Sequence, residues 1–254
     1  MFRLPIRNTT IHLRLPTGAE DLLLLETQAS EPELAATLMA RLAGSDPPID
    51  WMKVAVTDLE AAMLMLRQMY AGDLLRTDVV CAAPGCRSRV DVTFRISDYL
   101  AHARPRTTRN VDAADASGWF QLRDAGVAFR APTVEDQIAV AGSKAPETEL
   151  AVRCIRPPEI SGRMLGRVQK AMARVAPCLS DWVQGECPEC HARLPMYFDV
   201  YRYVLKELRG RAKSVYRDIH LIAERYHWPE SRILKMPCVR RQNYAGMILD
   251  QGNI

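Results

Sequence analysis

Ile11-His-Leu-Arg-Leu-Pro-Thr17 recurs 116 residues later as Val127-Ala-Phe-Arg-Ala-Pro-Thr133. At the same offset, Ala29-Ser-Glu-Pro-Glu-Leu-Ala35 matches Ala145-Pro-Glu-Thr-Glu-Leu-Ala151. Arg14/Arg130, Pro16/Pro132, Glu31/Glu147, Glu33/Glu149 and Leu34/Leu150 are identical pairs. Further on the offset becomes 104, as a changed loop length produces, and Cys86, Arg89, Phe94 and Tyr99 align with Cys190, Arg193, Phe198 and Tyr203. Blocks repeated in one order read as an internal duplication, which takes precedence over local pattern in assigning a fold. The expected organisation is a first pseudo-repeat over 1–103, a polar linker over 104–118, a second pseudo-repeat over 119–200 and a tail over 201–254.

Within each unit the periodicity changes along the chain. Ile11, Leu13 and Leu15 alternate as in a strand, the Pro16-Thr17-Gly18 turn stops it, and Leu22 to Leu25 reads as its partner strand. Ser30 then stands as an N-cap with Pro32 in the first turn of a helix. A second helix is expected over about 58–70, ending near Gly72, with Met63, Met65 and Met69 as core packing. Its counterpart is expected over about 162–175. Each second helix leads to a cysteine pair and then an alternating strand: Val90, Val92, Phe94 and Ile96 in one unit, and Leu194, Met196, Phe198 and Val200 in the other.

The cysteine pairs are Cys81-Ala-Ala-Pro-Gly-Cys86 and Cys187-Pro-Glu-Cys190. A tight turn between two thiols makes half of a tetrahedral zinc site, and two such turns at equivalent positions make a whole one. One structural zinc held by Cys81, Cys86, Cys187 and Cys190 is the expectation. Cys154, Cys178 and Cys238 lack paired spacing and are expected as small buried residues. The alternatives are haem attachment at Cys187-Pro-Glu-Cys190-His191 with His191 as axial ligand, a thiol-redox pair, and free thiols without metal.

The chain has 254 residues, 48% apolar and 25% charged, with a net charge of +4. That composition fits a soluble globular protein and excludes disorder throughout or a disulfide-stapled miniprotein. No apolar run approaches the roughly 20 residues that span a bilayer, and neither a signal peptide nor a membrane span is expected. The tail holds eleven Lys and Arg against five Asp and Glu, so the rest sums to −2. A basic tail suits an acidic partner or a solvated helix face. With a pI of about 8.7, nucleic acid is not the expected partner.

The tail spacing of Val204, Leu208, Ala212, Val215, Ile219 and Ile222 predicts one amphipathic helix over about 200–225, and Pro229 and Pro237 each open a short helix after it. Tyr226 and Trp228, with Ile233, Leu234 and Met236, either pack these helices together or join Arg209, Lys213, Arg240, Arg241 and Tyr244 in a partner-binding surface. No nucleotide-binding, nucleophile-elbow or zinc-protease motif occurs, and His220 and His227 read as polar residues at helix edges. No enzyme activity and no small-molecule substrate are expected.

Four stretches carry a resemblance. They are Arg14-Leu-Pro-Thr-Gly18; Thr57-Asp-Leu-Glu60 through Leu66-Arg67 to Tyr70-Ala-Gly-Asp73; Cys187-Pro-Glu-Cys190 with Phe198-Asp199; and Ile219-His-Leu-Ile-Ala223 through Tyr226-His-Trp-Pro-Glu-Ser-Arg-Ile-Leu234 to Met236-Pro237 and Arg240-Arg241. Together they resemble the baseplate and baseplate-hub proteins of T-even-type contractile phage tails and phage-tail-like injection systems. The first knuckle departs from that family's pattern, being C-x₄-C where C-x-x-C is usual, with Arg87 where glycine is usual. The resemblance implies a non-enzymatic component or assembly factor whose partners are other tail and baseplate proteins. It would work in the cytoplasm during assembly and as part of a virion or injection particle. The expected fold class is α+β: two tandem pseudo-repeats sharing one zinc, plus a helical tail. The alternative functions are a zinc-containing nucleic-acid-binding protein using the basic tail, and a thiol-redox enzyme.

Overall fold

Strand alternation, Pro-Thr helix starts and cysteine turns set an order of elements, and that order runs twice. A computed structural model describes residues 1–106, 108–115 and 117–251; Thr107 and Ala116 of the expected linker and Gly252, Asn253 and Ile254 of the expected tail lie outside the described residues. The first run is β1 (Phe2–Arg3), β2 (Thr10–Leu13), α1 (Gly18–Glu26), α2 (Glu31–Leu42), β3 (Ala43–Gly44), α3 (Val56–Ala71), β4 (Leu74–Val80), β5 (Arg89–Arg95) and α4 (Ile96–His102). The second is β6 (Trp119–Leu122), β7 (Val127–Arg130), α5 (Val134–Val140), α6 (Pro146–Arg153), β8 (Ile155–Arg156), α7 (Gly162–Val175), β9 (Asp181–Glu186), β10 (Arg193–Phe198) and α8 (Val200–Ala212). Helices α9 (Val215–Tyr226), α10 (Glu230–Ile233) and α11 (Cys238–Gln251) follow. Each run folds its first three strands into an antiparallel sheet, β1-β2-β3 or β6-β7-β8, and its last two into a hairpin.

The expected strand at Leu22 to Leu25 is instead the middle of α1. The signal that decides this is Thr17 with Glu20 three residues on, a capping box. Glu20 Oε2 accepts from the Thr17 N–H and hydroxyl (both 2.9 Å), while its carboxylate receives the Arg14 guanidinium at 2.9 and 3.0 Å. Thr133, Asp136 and Arg130 repeat the arrangement at α5, with Thr133 N–H and hydroxyl contacts of 3.0 and 2.8 Å. In both cases these donors outweigh burial and hold the carboxyl below its ordinary value. Ser30 stands before α2 as expected, and Glu33, not part of the expected cap, accepts from its N–H and hydroxyl.

The main core takes Leu34, Leu38 and Met39 from α2, Leu59, Met63 and Leu66 from α3, and Val204, Leu205 and Leu208 from α8. The expected boundary between 200 and 201 therefore falls inside a helix that fills the core of the first run. Met63 is buried as expected, but Met65 lines an open hollow and Met69 is 47% exposed. A second core joins Val127, Phe129 and Ile155 to Val168, Met172 and Val175. Part of the expected linker packs here: Val111 is buried and bridges Leu122, and the Asp112 N–H donates to the Gln121 carbonyl. The apolar side chain at 111 supplies what the surrounding polar composition hides.

Two buried polar side chains bind elements across these cores. Arg67 donates to the carbonyls of Gly72 and Leu74 and pairs with Glu207 at 2.9 Å, fixing the turn where Gly72 (φ 81°) ends α3. Glu60 accepts from the Leu179 N–H (2.8 Å) and the Ser180 hydroxyl (2.5 Å), and Ser180 Oγ in turn accepts from the Val200 N–H. Burial lifts the Glu60 carboxyl to about 7, although those donors favour its charged form. With the folded pKa above the unfolded one, the contribution to stability is complete below about pH 4.5 and is lost as pH rises to about 7. At about 1.4 kcal/mol per pKa unit the loss is on the order of 3 kcal/mol. The difference in urea midpoint between wild type and Glu60→Gln is expected to change across this window, because the amide cannot ionise. A constant difference from pH 4.5 to 8 would show that Glu60 does not titrate there.

The expected single tail helix is two, broken at Lys213 and Ser214. The apolar spacing runs through the break because Val215 and Ile222 of α9 are buried as well. Pro229 and Pro237 precede α10 and α11 as expected, but only α10 is short: α11, with 14 residues, is longer than α8 or α9. Residues 234–237 then lie across the start of α1: the N–H groups of Gly18 and Ala19 donate to the carbonyls of Met236 and Leu234 (both 3.2 Å). A helix start has N–H groups without internal acceptors, and an extended segment can satisfy them. Val134 and Glu135, at the start of α5, donate in the same way to Val54 and Met52. Gly18 is needed for this approach, since a Cβ there would lie 2.9 Å from the Leu234 backbone and from Arg241 Nη1.

Candidate metal centre

Each cysteine pair sits at the tip of a two-stranded hairpin whose register the alternation sets. In the first, Val80 pairs with Arg89 and the Cys81 N–H donates to the Ser88 carbonyl; in the second, Glu186 pairs with Arg193 and the Cys187 N–H donates to the Ala192 carbonyl. Both tips turn through a left-handed residue directly after the last cysteine, Arg87 (φ 49°) and His191 (φ 58°). Arg87 therefore adopts the conformation that glycine takes more readily. The longer C-x₄-C loop still brings its two sulfurs to the site.

Four sulfurs converge between the tips. Cys81 Sγ is 3.7 Å from Cys190 Sγ, Cys86 Sγ is 3.8 Å from Cys187 Sγ, and all four lie within 4.8 Å of one another. Both of these pairs cross from one hairpin to the other. These separations are far beyond a disulfide of about 2.05 Å. They match the roughly 3.8 Å edge of a tetrahedron whose centre lies about 2.3 Å from each sulfur, the Zn–S distance. Cys81 and Cys187 are buried and pack with Val90 and Leu194, while Cys86 is half-buried and Cys190 exposed.

The electrostatics favour a cation at this point. The Cys86 thiol is pushed down to about 6, first by Ser88, whose Oγ is 3.3 Å away. Cys190 is pushed up to about 12: its Ala192 backbone contact favours the thiolate, but the neighbouring sulfurs, Cys86 foremost, oppose it. Four thiolates at these distances repel one another, and a divalent ion would offset that cost. A four-sulfur set is closed, leaving no position for substrate, which suits structure rather than catalysis.

Below the tips, aromatic residues from both hairpins interlock. Phe94 and Phe198 meet edge to face at 5.3 Å, Tyr99 lies 5.5 Å from Phe198, and Phe198 lies 5.6 Å from Tyr203. Tyr99 donates to the Leu179 carbonyl and Tyr203 to the Arg76 carbonyl, so each tyrosine reaches the strand entry of the other hairpin. These are the residues paired by the 104-residue offset in the sequence.

The remaining candidates fall elsewhere. Cys154 and Cys238 are buried as expected, but Cys178 is exposed, because the turn before β9 leaves it at the surface. The His191 side chain is 78% exposed and sits 2.7 Å from Glu186, and it is not part of the four-sulfur group. Tyr226 stacks on Trp228 at 5.3 Å, Tyr244 meets both edge to face at 5.9 and 5.4 Å, and the three join α9, α10 and α11 with Ile222, Ile233 and Met236. Arg241 does not belong to a partner surface: it is fully buried between Asp21 and Asp218. Arg209 donates to the Leu24 carbonyl at the end of α1, so its guanidinium serves the chain itself. Lys213 and Arg240 are exposed. No described helix is long and apolar enough to cross a membrane. Comparisons of the chain with protein-family models, with curated proteins and with solved structures find no match.

Proposed function

We propose that this chain is a non-enzymatic structural or assembly protein of a contractile-tail or injection-system baseplate or hub, stapled by one zinc ion. The observation that carries the reading is the four-sulfur cluster, in which each hairpin supplies two ligands and neither could hold zinc alone. Zinc at Cys81, Cys86, Cys187 and Cys190 would add binding free energy to folding and fix the two runs of elements relative to one another. The recurring order of elements and the equivalent caps at Thr17 and Thr133 support their origin as tandem pseudo-repeats. The four resembling stretches supply the baseplate context, and several of their residues (Asp58, Glu60 and Arg67) are buried polar groups that set the fold.

The exposed basic residues Lys213 and Arg240 are the remaining tail candidates for contact with another tail protein. Removing residues 201–254 would strip α8 from the core, so substitution at the surface is the sound comparison. Affinity capture from cells producing the tail particle, read by mass spectrometry, is expected to recover baseplate or hub proteins with the wild type. Less should be recovered with Lys213→Glu/Arg240→Glu. Recovery of no tail component by the folded, metal-loaded chain would remove the baseplate assignment.

A further inference from the structure

Four cations recur on one face of α7: Arg163, Arg167, Lys170 and Arg174, at steps of four, three and four residues. The opposite face buries Val168, Ala171, Met172 and Val175, so the cationic stripe points outward along about 16 Å of helix. Residues 104–106 and 108–111 lie alongside, with the Arg106 N–H donating to the Arg174 carbonyl at 2.7 Å. That segment adds the exposed side chains of Arg104, Arg106 and Arg109. Between segment and helix is a hollow of about 550 Å³ bounded by Arg109, Arg167, Lys170 and Arg174. Arg174 also borders a second hollow of about 340 Å³, lined by Arg104, Arg106 and Trp182.

None of the seven cations has a carboxylate partner among the described residues; the nearby ion pairs are Arg123–Asp112 and Arg153–Asp136. Thr108 Oγ1, on the wall of the first hollow, is buried without a hydrogen-bond partner. The acid in the second hollow, Asp181, accepts from the Trp182 N–H at 2.7 Å. Trp182 is 60% exposed and Tyr197, its cross-strand neighbour, 52% exposed, with ring centres 5.6 Å apart. Two large aromatic faces are thus left to solvent at the end of a cationic groove.

We propose that this groove binds single-stranded nucleic acid, the phosphates following the α7 stripe and a base stacking on Trp182. Evenly spaced cations suit a linear polyanion, and an aromatic platform beside them suits bases, which an acidic protein surface does not present. The four cations of the α7 stripe can neutralise about four phosphates of a single strand. The groove was hidden in the sequence because its cations come from two segments more than 50 residues apart, within a body whose total charge is slightly negative. It involves neither the tail nor the metal centre, and so stands apart from the scaffold role.

Fluorescence anisotropy with a labelled oligothymidylate of about 12 nucleotides tests the proposal on the full, metal-loaded chain. Affinity is expected to fall with salt at a log–log slope of about −3, as for four neutralised phosphates of a single strand. Arg167→Glu/Lys170→Glu should weaken binding at least tenfold and flatten the slope, and Trp182→Ala should weaken it about tenfold. All three side chains are exposed, so unchanged circular dichroism and melting temperature are expected alongside. The proposal is overturned by absence of binding at 50 mM salt, or by binding that survives Arg167→Glu/Lys170→Glu but is lost on Arg202→Glu/Lys206→Glu in α8. Equal affinity for polyglutamate, with no effect of Trp182→Ala, would assign the surface to an acidic protein instead.

Discussion

Cys187→Ser is expected to abolish stoichiometric zinc binding and to lower the melting temperature by more than 10 °C. Structural zinc sites contribute on the order of 10 kcal/mol to folding in isolated fingers, and losing one of four ligands forfeits much of that. For a chain of this length about 1 kcal/mol corresponds to roughly 2–4 °C, so a loss of even 4 kcal/mol is readily measured. Helical circular dichroism should persist below the transition, because Leu34, Leu59, Met63, Val204 and Leu208 are buried in a core separate from the sulfur cluster. Cys81→Ser, Cys86→Ser and Cys190→Ser should lose zinc likewise, and Cys178→Ser, at an exposed position remote from the cluster, should retain it. Elemental analysis and thiol titration of the native protein decide the matter. One zinc per chain, with Cys81, Cys86, Cys187 and Cys190 protected until a chelator is added, is the expected result. No zinc, and cluster thiols that react without a chelator, with Cys187→Ser melting within about 2 °C of wild type, would falsify the clamp.

The cysteine cluster was legible because the repeated sequence blocks place like residues at like positions: once Cys86 aligns with Cys190, Phe94 with Phe198 and Tyr99 with Tyr203, the meeting of the two hairpins follows. What the alternation reading missed was local. Leu22 to Leu25 looked like strand because a run of leucines has no period of its own, whereas Thr17 and Glu20 start a helix through two side-chain contacts. The boundary at 200 failed for a different reason. Its residues are amphipathic in the same way as α9, and nothing in the sequence tells that the apolar face of α8 is spent on α1, α2 and α3 rather than on the tail. Arg67 with Glu207, 140 residues apart, leaves no linear signal at all.

Arg241→Met is expected to destabilise the chain by about 3–5 kcal/mol, the range for removing one partner of a buried ion pair. Arg241 is fully buried, with Nη2 at 2.5 Å from Asp21 Oδ2 on α1 and Nε at 3.4 Å from Asp218 Oδ2 on α9. Methionine would fill the aliphatic space but leave two carboxylates out of water without a cation. Asp218 would keep Ser214 at 2.9 Å and a distant Arg217 at 3.7 Å, while Asp21, whose carboxyl burial already pushes up against the pull of Arg241, would lose its principal counter-charge. The penalty should therefore be largest near neutral pH and shrink as the medium is acidified and the stranded carboxyls take up protons. Arg241→Met/Asp21→Asn/Asp218→Asn should recover much of the loss, since it removes the uncompensated charge rather than restoring the pair. Urea denaturation at pH 5 and pH 7.5 measures all of this. A cost below about 1 kcal/mol at pH 7.5, or a triple variant no better than the single, would mean that the docking of 234–237 onto α1 holds the tail by itself and that Arg241 is incidental to it.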